Sequence, residues 1–285
     1  GFNILGFKSF MSGRIASFSG DELNIGHYFS AFSLFFLSYI FLNYKNNSLN
    51  LIVAIFLVAI SFLIGERSNF IKVFICFFLF IYAIEKFSGF FKIMASSLII
   101  FIISISTFLN EDIKSRMKQI YEPIMEFGIL KYIKTSHYGV HYDTAIKIFK
   151  NYPLTGVGNK NFRNECSKDI YFEKKIKLSD ARCSTHPHQI HFELLSEQGI
   201  IGYFFIIFSI IFFLFKNIKV FINTSNINHL SNISYIIVFF LPVLPGAGIF
   251  STFNGSIFWI IFSLCYLNYK TANTKKINQN YNLSK

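Results

Sequence analysis

Long apolar runs alternate with short polar connections along most of this chain. The apolar runs fall at residues 29–42, 49–64, 70–84, 93–109, 199–215, 233–249 and 255–267. A helix needs about 20 apolar residues to cross a membrane, and flanking residues extend the shorter runs. The pattern therefore predicts an all-α polytopic membrane protein with about seven transmembrane helices. Pro242 and Pro245 interrupt the sixth run, which membrane helices tolerate where neighbouring helices cover the backbone.

The polar segment 110–187 is far longer than the other connections and divides the chain. A charged stretch opens it, and the apolar spacing over 142–150 predicts an amphipathic helix that Pro153 stops. Gly156 and Gly158 follow, and both a phosphate cradle and a simple turn fit them. We therefore expect a long, mostly helical loop.

The predicted domains follow from these runs. They are an outer segment at 1–28, four transmembrane helices at 29–109, the long loop at 110–187, three transmembrane helices at 188–269 and a basic tail at 270–285. The tail is polar and rich in lysine and asparagine, so we expect it to be disordered. The first residue is Gly, and we expect the chain to be the carboxy-terminal part of a longer protein.

Composition supports the membrane class and limits the kinds of binding partner that are expected. The chain is 53% hydrophobic and 15% charged, and it contains 39 Phe. A soluble domain has about 25% charged residues. The net charge of +12 is spread over loops and tail, so nucleic acid is not expected as a partner. Anionic membrane lipids or a phosphorylated lipid substrate suit this charge better.

Lysines in the short loops predict the orientation. If the long loop lies outside the cytoplasm, the short loops near Lys45, Lys86 and Lys216 and the lysine tail all lie inside, as the positive-inside rule requires. The same orientation places every arginine outside, and these are Arg14, Arg67, Arg116, Arg163 and Arg182. Guanidinium groups bind phosphate through paired hydrogen bonds, so a phosphate-binding face is predicted there. Lys72 lies inside an apolar run, near enough to its end to extend towards the surface.

Three histidines stand together directly before the fifth apolar run. His186, His188 and His191 fall within six residues. Ionisable groups at the mouth of a membrane helix indicate function, because they are costly to keep there. A neutral imidazole can accept a proton from a hydroxyl at pH 7. We expect a helix to run from His188 with Pro187 in its first turn; a polar belt without chemistry is the alternative.

The four cysteines divide into two pairs. Cys76 and Cys265 lie in apolar runs, where they are expected to pack as small hydrophobic residues. Cys166 and Cys183 lie in the polar segment, and they are compatible with one disulfide in an oxidising compartment.

Several motifs together resemble the O-antigen ligase and polymerase superfamily. His188-Gln189, nine residues, Gly199, two residues and Gly202 resemble its histidine signature. Residues 151–158 resemble its P-x-x-G-x-G segment, and Asn161-Phe162-Arg163 follows as in that family. Residues 65–68 resemble its arginine turn between two membrane helices, and residues 14–22 resemble another outer segment.

The resemblance implies a GT-C-like bundle and a metal-independent membrane glycosyltransferase without cofactors. Such an enzyme transfers a glycan from undecaprenyl diphosphate to a hydroxyl of an acceptor glycan or of the lipid A-core. It works at the periplasmic face of the bacterial inner membrane. By this resemblance His188 is the general base and Arg67 binds the diphosphate, while Arg14, Arg163 and Gln189 contact substrate. His186 belongs to the same substrate-binding set.

One departure from the family favours a polymerase over a ligase. Ligases of the family carry a second essential arginine ahead of the glycine segment, where this chain reads Tyr138-Gly139-Val140-His141-Tyr142. His141 or Arg163 is the expected substitute. A transporter or flippase of a lipid-linked sugar, and a non-catalytic membrane anchor, are the alternative functions.

Overall fold

The computed structural model describes residues 14–15, 25–44, 46–84, 87–129, 131–132, 136–174, 178–242, 244–246 and 248–283. In these ranges the ordered elements are helices, and no β-strand occurs among them. The main helices are α1 (Ile25–Asn43), α2 (Asn47–Ile64), α3 (Arg67–Ala83), α4 (Gly89–Leu109), α5 (Glu111–Phe127), α6 (His137–Asn151), α7 (Phe162–Glu165), α8 (Ile190–Thr224), α9 (Ile227–Phe239) and α10 (Thr252–Leu283). Short 3₁₀ turns cover Asp169–Tyr171 and Ser179–Arg182. The predicted all-α class is confirmed.

Four of the described helices are long and apolar enough to cross a membrane, namely α1, α2, α4 and α8. Helix α9 is apolar but shorter. Many large apolar side chains on these helices are exposed, for example Phe56 on α2 and Phe205 on α8. Lipid would cover such side chains, so the chain is a membrane protein.

Helix α2 is capped by local contacts at both of its ends, and the turn from α2 to α3 is short. Asn46 caps the start of α2, where its side-chain oxygen accepts hydrogen bonds from the amides of Ser48 and Leu49. Gly65 ends the helix in the left-handed conformation (φ 81°), and its amide donates to the carbonyl of Phe62. Glycine adopts this conformation without steric penalty. The turn therefore leads directly into Arg67, the first residue of α3.

Three expectations were wrong, and they concern the end of α9, the tail and the exposure of Lys72. The sixth apolar run was expected to be one membrane span over 233–249 with breaks at Pro242 and Pro245, but the helix α9 ends at Phe239, before the first of these prolines. The tail was expected to be disordered, but α10 continues to Leu283. Lys72 was expected to extend to the surface, but it is only 8% exposed.

The chain divides into two compact units. The first comprises Gly1–Lys118, Lys216–Phe239 and Ile260–Lys285, and the second comprises Gln119–Phe215 and Phe240–Trp259. Buried Val58, Phe77 and Phe80 belong to the apolar core of the first unit. A smaller core in the second unit joins α6 to α7, with Ile148 and Phe162 completely buried.

Candidate active site

Helix α8 is bent at Gly199, whose φ of 62° and ψ of −170° are not helical, and the glycine segment of the second unit is hydrogen-bonded to this bend. The amides of Val157 and Gly158 donate to the carbonyls of Ser196 and Glu197 at 3.0 and 2.8 Å. In the other direction, the amide of Ile200 donates to the carbonyl of Pro153 at 2.8 Å, and that of Ile201 to Leu154 at 3.2 Å. We call this pairing of 153–158 with 196–201 the glycine clasp.

Two glycines allow this close approach. Gly156 and Gly199 both have positive φ, at 63° and 62°. A Cβ on Gly156 would stand 2.4 Å from the backbone carbon of Glu197, and a Cβ on Gly199 would stand 2.3 Å from the carbonyl oxygen of Leu154. The glycine segment is therefore a turn packed on α8. The amides of Val157 and Gly158 are already bonded, which excludes them from a phosphate cradle.

Glu197 extends the clasp to the start of α7. This buried carboxylate accepts hydrogen bonds from the amides of Lys160 at 2.7 Å and Phe162 at 3.1 Å. The next residue, Arg163, is exposed, and its charge acts on both Glu197 and His186. The family-like Asn-Phe-Arg sequence thus places one guanidinium close to the histidine stretch.

His188 lies just before α8 and not inside it. Its φ is 57°, and its carbonyl accepts a hydrogen bond of 2.7 Å from the amide of Gly246. Helix α8 begins at Ile190, so the expectation of a helix running from His188 was wrong. The side-chain oxygen of Gln189 caps the new helix by accepting from the amides of His191 and Phe192 at 2.8 and 3.1 Å. The cap and the Gly246 contact hold the backbone at His188 and directly after it.

The imidazole of His188 is surrounded by other rings and by one hydroxyl. Its Nε2 lies 2.8 Å from the hydroxyl oxygen of Ser184. Its ring centroid lies 4.3 Å from that of His186 and 5.3 Å from those of His141 and Tyr138. The sequence therefore predicted His141, His186 and His188 separately, and the fold brings them together. Nothing in the sequence indicated Ser184 as the partner of Nε2.

Burial makes two of these imidazoles weaker bases than usual. Burial lowers the pKa of His141, although the carbonyl of Arg182, 3.1 Å from its Nδ1, opposes the shift. Burial likewise lowers the pKa of His186, where the carbonyl of Gly246 opposes the shift and the charges of His141 and Arg163 add to it. Both rings are therefore neutral at pH 7, and they place no positive charge beside His188.

A disulfide and an arginine hold the segment that leads to His188. Cys166 and Cys183 are bonded, with their Cα atoms 5.3 Å apart. Arg182 donates to the carbonyls of Cys166 and Ser167, each at 2.9 Å, and to that of Ser179 at 3.3 Å. The guanidinium that sequence reasoning grouped with the phosphate-binding arginines is thus used within the protein.

The predicted phosphate-binding residues Arg14 and Arg67 belong to the first unit. Arg14 is in ion-pair contact with Glu66, with 3.2 Å between Nη2 and Oε1. The amide of Ile15 donates to the carbonyl of Ile64 at 3.1 Å, which ties this short segment to the end of α2. Arg67 follows Glu66 directly. That Arg67 and His188 serve one substrate stays a prediction.

The four candidate membrane-spanning helices and their exposed apolar side chains define a multi-pass membrane protein. The family model described as O-Antigen ligase matches residues 49–207, which is more than half of the chain. The chain belongs to this family. The match runs from α2 into α8 and includes Arg67, the glycine clasp and His188. A search of curated proteins found no significant match.

Family membership sets the general activity. The protein is a membrane enzyme of the O-antigen ligase and polymerase type, and its partners are in general a lipid-linked glycan and an acceptor.

Proposed function

We propose that this enzyme transfers an oligosaccharide from undecaprenyl diphosphate to an acceptor hydroxyl at the periplasmic face of the bacterial inner membrane. The contact between His188 Nε2 and the Ser184 hydroxyl, at 2.8 Å, carries the proposal. It is the distance at which a general base takes a proton from an acceptor hydroxyl. The Ser184 oxygen stands in for the sugar hydroxyl that would displace it.

In the proposed reaction His188 Nε2 accepts the hydroxyl proton and becomes an imidazolium. The acceptor oxygen forms a bond to the anomeric carbon, and the bond from that carbon to the diphosphate oxygen breaks. Undecaprenyl diphosphate leaves with the bonding electrons. Arg67 stabilises the charge that develops on the leaving diphosphate, an electrostatic effect that is often the largest single contribution.

The surroundings of His188 support a polymerase rather than a ligase to the lipid A-core. His141 stands where ligases of the family carry an arginine. Because burial lowers the pKa of His141, it does not replace a guanidinium at pH 7. Arg163 is a cation whose charge acts on His186, and we assign it to substrate binding with His186. Gln189 caps α8 through its oxygen, so we assign it to positioning His188.

The proposed arrangement in the membrane retains the predicted domains. It has an outer segment at 1–28, spans at 29–109 and 188–269, a periplasmic loop at 110–187 and a cytoplasmic tail at 270–285. The family match and the four candidate spans support this arrangement. Labelling of single cysteines with an impermeant reagent, first in the loop and then in the tail, tests it. Labelling of the tail in intact cells would contradict the orientation.

Replacement of His188 tests the function. The purified wild-type protein, reconstituted in lipid with a lipid-linked donor and an acceptor, should elongate the glycan. His188→Gln should lower the rate by roughly 10²- to 10⁴-fold, the usual contribution of a general base. His137→Gln is the matched control, since this exposed ring lies 5.4 Å from that of His141 at the edge of the cluster. Normal transfer by His188→Gln would contradict the proposed base.

Deletion of the gene separates the two activities in the cell. Surface polysaccharide shortened to one repeat indicates a polymerase, and loss of all polysaccharide from the lipid A-core indicates a ligase. Unchanged polysaccharide with altered flipping of the lipid-linked unit would instead indicate the transporter.

A further inference from the structure

Lys72 is a buried cation in the second turn of α3. Only 8% of the residue is exposed, so the side chain lies among neighbouring groups and not along the outside of the helix. A lysine in a membrane helix is costly, and such residues usually face a pathway or a partner. Its position therefore requires a physical reason.

Among the described residues, none forms an ion pair or a hydrogen bond with Lys72 that would supply that reason. The nearest carboxylate in the sequence is Glu66, whose charge acts on Lys72. However, the oxygens of Glu66 are already bonded: Oε1 accepts from the amide of Gly26 at 2.9 Å and contacts Arg14, and Oε2 accepts from Asn69 at 2.5 Å. Glu66 is thus held by neighbours other than Lys72.

The same corner of the first unit holds an excess of positive charge. Glu66, Asn69 and Lys72 recur at intervals of three residues, which places them on one face of α3. Arg14 is bonded to Glu66, and Arg67 is its neighbour in sequence. Among the described residues near the start of α3 there are therefore three cations to one carboxylate. Gly26 makes the close packing possible, since a Cβ there would stand 2.5 Å from Glu66 Oε2.

An anion with two negative charges matches this excess. A diphosphate esterified at both ends, as in a lipid-linked sugar, carries one negative charge on each phosphate. An ammonium donates up to three hydrogen bonds to phosphate oxygens, and an anion at the site would relieve the cost of its burial.

We propose that Lys72 is a binding residue for the diphosphate of the lipid-linked donor. The inference rests on the proposed function for the identity of the lipid. Lys72 holds the diphosphate from the α3 side, and Arg14, held by Glu66, supplies the guanidinium beside it. Glu66 and Asn69 position these cations and do not contact the substrate.

Binding of undecaprenyl diphosphate to the full chain in phosphatidylcholine nanodiscs tests the inference. Lys72→Met, which keeps a long apolar side chain, should weaken binding about tenfold or more, since charge-assisted hydrogen bonds are lost. Its thermal unfolding midpoint should stay the same or rise, because a buried charge is removed. Lys72→Arg should recover part of the binding. Lys92→Met is the control, since Lys92 donates to the carbonyl of Tyr82 in an exposed position and should bind normally.

Two further probes identify the chemistry that is recognised. Inorganic pyrophosphate with the same dependence on Lys72 would support recognition of the diphosphate itself. Undecaprenyl monophosphate with the same affinity and the same dependence would overturn it. Unchanged binding of undecaprenyl diphosphate by folded Lys72→Met, whether or not its unfolding midpoint falls, would overturn the inference.

The failure of the inference and that of the proposed function are distinguishable. A wild-type protein that binds the diphosphate lipid through Lys72 but transfers no glycan would contradict only the proposed function. A wild-type protein that transfers glycan, with Lys72→Met binding unchanged, would contradict only the inference.

Discussion

Gly199 is the residue at which the glycine clasp is most sensitive to substitution. Its φ of 62° and ψ of −170° lie in a region that only glycine adopts readily. A Cβ there would stand 2.3 Å from the carbonyl oxygen of Leu154 and 2.5 Å from the amide nitrogen of Thr155. Neither atom can rotate away, because both belong to the backbone. Gly199→Ala should therefore separate the two sides of the clasp.

The expected loss of local stability in Gly199→Ala is the sum of three contributions. The backbone conformation costs a non-glycine residue about 1–3 kcal/mol. Relief of the overlap stretches or breaks the hydrogen bonds from Ile200 to Pro153 and from Ile201 to Leu154, each with a net value of about 1 kcal/mol. The local stability of the clasp should thus fall by about 3–5 kcal/mol. Because His188 precedes the same helix, the rate of glycan transfer should fall together with the stability of the clasp.

Hydrogen exchange measured by mass spectrometry in nanodiscs is the assay. The amides of Val157, Gly158, Ile200 and Ile201 should exchange more than about 100-fold faster in Gly199→Ala, since every 1.4 kcal/mol corresponds to tenfold. Two glycines serve as controls. Gly89→Ala has no atom within 4 Å of its Cβ and should change nothing in the clasp.

Gly128→Ala separates conformational strain from overlap. Gly128 has a φ of 80° but no atom within 4 Å of its Cβ, so only strain of about 1–2 kcal/mol is expected, confined to its own segment. If the clasp amides of Gly199→Ala exchange within threefold of the wild-type rate, the clasp does not depend on the close approach of two backbones, and the reasoning is refuted.

Two other predictions concern the segment around the histidines. Cys183→Ser should lower the free energy of unfolding by about 3 kcal/mol, by the loop-closure estimate. A reductant should lower the unfolding midpoint of the wild type to that of the variant but leave the variant's midpoint unchanged. Equal midpoints for the oxidised wild type and the variant would contradict this prediction. Burial lowers the pKa of His141 and of His186 below the usual 6.5, so the unfolded chain binds protons first as the pH falls. Stability should therefore be full above about pH 6.5 and decline below it, and the double variant His141→Gln/His186→Gln should show a flatter profile; an equally steep profile would refute this assignment.

The membrane helices were largely predictable because lipid imposes a strong rule. Any helix that crosses the hydrocarbon core must be apolar over most of its length, and the runs at 29–42, 49–64 and 93–109 each lie inside an observed helix. The end of α9 at Phe239 was harder to predict from the sequence. Apolar composition alone does not distinguish a helix from an irregular apolar segment, and the prolines were the signal that decided it.

The conformation of His188 could not be predicted from the sequence. Positive φ is unfavourable for histidine, so local preference favours a helix after Pro187. The observed conformation depends on contacts with residues distant in sequence, such as the 2.7 Å bond from Gly246. For the same reason Tyr138 and His141, which lie on α6, could not be assigned to the surroundings of His188 by spacing.

The observed contacts of the arginines show why residue type alone does not define a phosphate-binding site. Arg182 donates three hydrogen bonds to backbone carbonyls, so its guanidinium holds the loop and has few donors left for a substrate. Lys72 contrasts with Arg182. The sequence predicted that the Lys72 side chain extends to the surface, but it is buried. What distinguishes the two is whether the donors are used inside the protein, and only the three-dimensional contacts contain that information. A buried cation whose donors are not used by any of the described residues is the better candidate for an anionic ligand, even where the sequence offers a more familiar arginine nearby.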